Sequence, residues 1–179
     1  MTNEESLEAL LLVENSRRNT DLIADLILKK PELFDELIMI YLKNEEPVSR
    51  RAAWVTDTVT EKRPDLLERY LEEIVTRLET FTHDGMKRES LRMLARSRFP
   101  ADQLGLLITL CFDWLISSSE SVAVKMYSME VLYKISQQEP EMKKELVDSI
   151  ELRMHEETPG FRAHGKKLLK QLYKEIGGT

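Results

Sequence analysis

With 179 residues, 42% of them hydrophobic and 32% charged, and only six glycines and six prolines, the chain is too apolar for disorder and too regular for a loop-rich fold. Its 26 Lys and Arg stand against 32 Asp and Glu, so the net charge of −6 excludes a global positive field that would draw in nucleic acid or an anionic membrane. The single cysteine, Cys111, excludes an intramolecular disulfide and a cysteine-based metal cluster.

Ten helices are predicted in chain order. The first, 4–14, is short and apolar through Leu7, Leu10, Leu11, Leu12 and Val13, and the acidic residues before it lack the basic and apolar regions of a secretory signal, which points to the cytoplasm. The second spans 16–29. Pro31 precedes the third, 32–43, whose stripe is Leu33, Phe34, Leu37, Ile38 and Tyr41. The fourth covers 48–62. Pro64 precedes the fifth, 65–80, with Leu66, Leu67, Tyr70, Leu71, Ile74, Val75 and Leu78 on one side. The sixth is 86–97. Pro100 precedes the seventh, 101–117, which holds the most apolar stretch of the chain, Leu104 to Ile116. Interrupted by Asp113, that stretch falls well short of the ~20 residues needed to cross a bilayer and reads as a buried core helix. The eighth, 121–138, is capped by Ser121. Pro140 precedes the ninth, 141–155, with Met142, Leu146, Val147, Ile150 and Met154, and the tenth runs over 160–176. Proline is tolerated in the first turn of a helix and stops the preceding helix from running through, so each of the four marks a boundary.

The pattern repeats. Small residues stand in one local frame at Thr20, Ala52, Ser90, Ser128 and Gly165. Four positions earlier the last four copies carry Val48, Met86, Val124 and Phe161. Three and four positions later come Ile23 and Ala24, Val55 and Thr56, Met93 and Leu94, Val131 and Leu132, Leu168 and Leu169, and seven later Ile27, Val59, Ser97, Ile135 and Leu172. These offsets fall in a narrow arc of a 3.6-residue helix, with Thr56 and Ser97 as the weak points of the stripe. The unit is helix, proline turn, helix, short loop, in approximate repeats 1–30, 31–62, 63–98, 99–138 and 139–179 of a single domain. No such pair buries both of its apolar faces alone, so neighbours must stack into one core.

An acid precedes, and a cation enters, each second helix: Glu14 with Arg17, Glu46 with Arg50, Asp84 with Lys87, Glu120 with Lys125, and Glu157 with Arg162. With the proline-started first helix, this resembles HEAT repeats over nearly the whole chain. In that family a loop acid and a cation in a Val-Lys/Arg-x-x-Ala-type second helix form a ladder between repeats. Ser49 departs from it, leaving Arg50 or Arg51 to substitute. The resemblance implies an all-α, right-handed α-solenoid of about five stacked hairpins, with second helices lining a concave face that binds a protein.

Two before, two after and five after the small residue, side chains point away from the stripe. In the middle layers these are Arg50, Trp54, Asp57, Arg88, Arg92, Met126 and Tyr133. Trp and Arg are the residue types that most often anchor interfaces, so Arg50, Trp54, Asp57, Arg88 and Arg92 are the candidate partner-binding residues, suited to a protein or an acidic peptide. The competing reading has the arginines paired with Asp57 and neighbouring glutamates. Trp54-Val55-Thr56-Asp57 also loosely resembles the Trp, Asp and Arg that HEAT-like alkylpurine DNA glycosylases use, but the acidic composition supplies little phosphate neutralisation, so nucleic acid is not the expected partner.

His83, His155 and His164 lack metal-ligand spacing, and Cys111 between Leu110 and Phe112 reads as a small core residue. No phosphate loop, nucleotide fingerprint, paired-carboxylate pattern or Gly-x-Ser-x-Gly elbow is present, so neither cofactor nor catalysis is expected. An adenylosuccinate-lyase label, which short helical chains can carry, would require the Gly-Ser-x-x-Met-x-x-Lys-x-Asn loop, which Ser119 to Met129 does not match. The expectation is a non-catalytic scaffold. Self-association through an end layer is a further reading, in which the apolar first helix docks while Lys166, Lys167, Lys170 and Lys174 keep the last helix solvated.

Overall fold

The computed structural model describes residues 6–99 and 101–177, with Ala101 described in its backbone only. The expected start of the first helix at 4 and the boundary marker Pro100 lie outside the described residues. Ten α-helices and no strand are found among the rest: α1 (Leu7–Val13), α2 (Arg17–Lys29), α3 (Phe34–Leu42), α4 (Val48–Lys62), α5 (Leu71–Arg77), α6 (Asp84–Arg96), α7 (Leu104–Ile116), α8 (Val122–Ser136), α9 (Met142–Arg153) and α10 (Pro159–Gly177). They form two compact units, Met1–Pro100 and Ala101–Thr179.

In the N-terminal unit, serine hydroxyls start the first two helices: Ser6 accepts from the Ala9 amide and Ser16 from that of Asn19. Pro31 and Pro64 each occupy the first turn of a short 3-10 segment, where a missing N–H leaves nothing unsatisfied. The fifth helix departs from its expected form. Pro64–Tyr70 and Leu78–Thr80 are 3-10 and only Leu71–Arg77 is α-helical, yet Leu67, Leu71, Ile74, Val75 and Leu78 are all buried. Tyr70 holds the first segment in place, its ring 6.1 Å from that of Phe34 and its hydroxyl donating to Asp35 at 2.7 Å. Apolar periodicity sets which side chains go inward; those contacts decide how tightly the backbone winds.

Helix α4 is the centre of this unit, packed against α1, α2, α3 and α6. That surrounding explains why Ala52, Ala53 and every residue from Val55 to Thr60 are buried. The small-residue frame is where the helices close up: Thr20, Ala52 and Ser90 are all buried. Ser90 uses its depth, accepting from the Tyr41 hydroxyl at 2.5 Å and donating to the Met86 carbonyl at 2.6 Å, beneath a Tyr41–Phe81 ring pair 5.6 Å apart. Of the two weak stripe positions, Thr56 is buried and donates its hydroxyl to the Ala52 carbonyl at 2.8 Å, whereas Ser97 lies beyond the last residue of α6 as its cap. Ser49 is buried as well. Its hydroxyl donates to the Ile40 carbonyl at 2.6 Å and accepts from the Glu45 amide at 2.8 Å, closing the α3–α4 loop in place of a ladder cation. Arg51 donates to the Leu11 carbonyl at 2.9 Å and ties α4 to α1.

In the C-terminal unit, Ser121 accepts from the Val124 amide at the start of α8, and Ser128 and Gly165 hold the buried small positions of α8 and α10. A Cβ built on Gly165 would stand 3.0 Å from Met154 Sδ and 3.1 Å from Ile150 Cγ2, so the absent side chain lets α9 and α10 meet there. Helix α7 does not match its expectation as a fully buried helix. Leu107, Cys111, Trp114 and Leu115 are buried, but Gly105, Thr109 and Ile116 face solvent, because α8 and α9 cover one side only. Cys111 lies wholly inside, and burial pushes its thiol up, away from reactive thiolate.

The ladder is sharpest here. Lys125 of α8, 3% exposed, donates to Glu157 in the loop before α10 at 2.5 Å, and Arg153 donates to the same oxygen at 2.8 Å. Burial pushes the Glu157 carboxyl up, but these donors outweigh it and hold the group below the usual carboxylate range. In the first two copies the pairing is local: Arg17 pairs with Asp21, not Glu14, and Arg50 with Glu46, each one helical turn away on the surface. Removing one member of a buried pair strands the other, so Glu157→Ala lowers unfolding free energy by about 3–5 kcal/mol, while the joint Lys125→Met and Glu157→Leu change recovers most of it. Chemical denaturation reads both. The same assay separates two glycines: Gly165→Val, crowding Ile150 and Met154, costs about 1–3 kcal/mol, whereas Gly105→Ala, with nothing within 4 Å, gains up to about 1 kcal/mol.

Candidate binding face

The candidate residues belong to the N-terminal unit, on the second helices α2, α4 and α6, where α4 packs between the other two. Relative to Thr20, Ala52 and Ser90, three rows cross these helices. Two positions before lie Arg18, Arg50 and Arg88; two after, Leu22, Trp54 and Arg92; five after, Asp25, Asp57 and Ala95. A helix advances 100° per residue, so these rows point away from the buried stripe.

The structure brings Asp57 and Arg92 into direct contact within a larger network. Asp57 is 1% exposed; its Oδ2 is 3.0 Å from Arg92 Nη1 and its Oδ1 2.6 Å from Arg96 Nη2. Glu89, also 1% exposed, accepts from Arg88 at 2.6 Å and from Arg92 at 3.3 Å. Glu61 accepts from Arg92 at 2.9 Å at the solvent edge. Three cations thus meet three carboxylates across α4 and α6, and the cluster is neutral as a set. Buried carboxylates survive only with such partners. Burial pushes the Asp57 carboxyl up to about 6; Arg96 and Arg92 pull it down and Glu89 adds to the rise.

Arg50 and Trp54 stand outside this network. The Arg50 side chain crosses the start of α6: a Cβ on Gly85 would lie 2.9 Å from Arg50 Cδ, and the Arg50 Nε donates to Glu46 at 3.1 Å. Trp54 is half-buried, and Leu22, its counterpart on α2, is 60% exposed. Sequence reasoning missed Glu61, Glu89 and Arg96, since Glu89 and Arg96 lie on the flank of α6 that meets α4 and not on the outward rows. Leu22 and Arg18 were within reach of the offset rule, which only had to be extended to the first repeat.

The arrangement offers little to a reaction. Both Asp57 oxygens are engaged by arginines and the group is buried, so the glycosylase-like reading of Trp54 and Asp57 has no carboxylate to present to a substrate. His83 Nδ1 accepts from the Gly85 amide as a cap of α6, and His164 Nε2 lies 2.9 Å from Glu130, so two of the three histidines have structural partners. Among the described residues no group of three or more His, Cys, Asp or Glu is placed to hold a metal ion, and no helix is long and apolar enough to cross a membrane.

The raised Asp57 carboxyl has a measurable sign. A group with a higher pKa in the folded than in the unfolded chain favours folding as pH falls, so wild type gains stability relative to Asp57→Asn between pH 6 and pH 4. Unfolding free energies of the two proteins compared at pH 4.5 and 7.5 should differ by on the order of 1–3 kcal/mol more in favour of wild type at the lower pH; an unchanged difference would mean that the carboxylate stays ionised throughout.

No curated protein and no solved structure matches the chain. A family profile described as the HEAT repeat domain matches residues 7–172, spanning α1 to most of α10. Helical hairpins with buried small positions, proline-marked turns and a buried acid–cation rung agree with that match at the level of individual residues. The chain belongs to the HEAT repeat family, with the all-α helical-repeat fold of a HEAT solenoid.

Proposed function

We propose that this protein is a non-catalytic scaffold that binds a protein or acidic peptide through the face formed by α2, α4 and α6. HEAT repeats are generally interaction scaffolds, which supports the broad reading. The observation that carries the narrower one is the row Leu22–Trp54, an exposed leucine beside a half-buried tryptophan on adjacent helices, bordered by the arginine row Arg18, Arg50 and Arg88. A large rigid ring with arginines at its border is the composition of an interface anchor.

The roles within the candidate set divide. Trp54 and Arg50 supply contact surface, Arg88 is held by the buried Glu89, and Asp57 and Arg92 hold α4 against α6 and shape the floor beneath it. Trp54→Ala combined with Arg50→Ala should leave the fold intact, because one side chain is half-buried and the other is a surface ion pair, yet abolish recovery of specific partners in quantitative affinity purification against wild type. Arg92→Ala should instead lower stability. An identical partner set for wild type and the Trp54/Arg50 variant would sink the assignment of this face.

A further inference from the structure

The arginines of this face are not equivalent, and the difference specifies the ligand. Arg88, Arg92 and Arg96 are committed to Asp57, Glu61 and Glu89, two of which are buried, so withdrawing these cations would strand a carboxylate in the interior. Arg18 and Arg50 are differently placed. Arg18 is exposed, and the partner of Arg50, Glu46, is 41% exposed, so that ion pair costs little to exchange for another carboxylate. Both arginines sit in the first turns of their helices, where the helix dipole adds positive potential to their own. On the other side of the Leu22–Trp54 row, the exposed carboxylates Asp25 and Glu61 lie toward the helix C-termini. The face therefore has a charge gradient across an apolar row.

We infer that this face takes an extended peptide segment of a partner protein in which a bulky apolar residue is flanked on one side by carboxylates. The inference rests on the proposed binding role of the face and names the chemistry of its ligand. The apolar residue covers Leu22 and Trp54, which stand on neighbouring helices about 8–10 Å apart. That separation is spanned by about three residues of extended chain at ~3.3 Å each. The carboxylates meet Arg18 and Arg50. A segment with lysines in that place would face like charge, and a purely apolar one would leave the arginine row without complement.

The test uses a display library of random 12-residue peptides selected on the full chain, followed by fluorescence anisotropy on the recovered sequences. Selected peptides should pair Leu, Phe or Trp with adjacent Asp or Glu. Replacing those acids by lysine should weaken binding at least tenfold, and the lysine version should regain affinity for the Arg18→Glu/Arg50→Glu protein, a gain that general damage to the fold cannot produce. Recovered peptides that are neutral or basic, yet lose binding to Leu22→Ala or Trp54→Ala, would overturn the acidic ligand and leave the face as a binding site. Acidic peptides indifferent to Leu22, Trp54, Arg18 and Arg50 would overturn the face itself, and a selection without enrichment would count against both.

Discussion

Close approach of helices at one small side chain per repeat is the constraint on which the rest depends. A helical hairpin has two apolar faces and can cover only one by folding on itself, so stability requires the next hairpin to lie within dispersion range. Thr20, Ala52, Ser90, Ser128 and Gly165 are where that happens, and all five are buried. Around them the larger apolar side chains interdigitate, and the prolines and serine caps divide the chain so that every stripe begins at the right place. At two of them a hydroxyl bonds the preceding turn: Thr20 donates to the Ser16 carbonyl and Ser90 to the Met86 carbonyl. These short side chains keep the helices near each other.

Between the helices, charge performs a second task. The buried carboxylates Asp57 and Glu89 lie at the α4–α6 contact, and Glu157 lies against Lys125 and Arg153 in the C-terminal unit. Such groups contribute modestly to stability compared with apolar packing, since desolvation consumes much of the attraction. Their value is geometric: a planar guanidinium held by two carboxylates from different helices permits one register between them. The same bonds remove Arg88, Arg92 and Arg96 from any ligand and leave Arg18 and Arg50 as the cations that can change partners. Structural and recognition charges on one face are thus separated by the burial of the carboxylates they pair with.

This separation reshapes the candidate site. Arg50, Trp54, Asp57, Arg88 and Arg92 share a face, but Asp57 and Arg92 belong to its foundation, and the exposed Leu22 extends the apolar surface onto α2. An interface built this way has a rigid floor and an adaptable rim, and a rigid floor reduces the ordering cost of binding.

Periodicity in the chain determined the helical class, the repeat frame, the proline boundaries and which residues turn inward, because those properties depend on 3.6-residue spacing and on the backbone limits of proline, both local. It also placed the outward rows, including Arg50, Trp54 and Arg88. Tertiary structure alone decided the pairing. Whether Arg92 reaches Asp57 or a ligand depends on the angle and separation of α4 and α6, and whether Glu157 meets Lys125 or the expected Arg162 depends on how a loop passes beneath a neighbouring helix. The 3-10 winding on either side of α5 and the open side of α7 have the same origin: hydrogen-bond length and coverage answer to contacts distant in sequence, which no local spacing encodes.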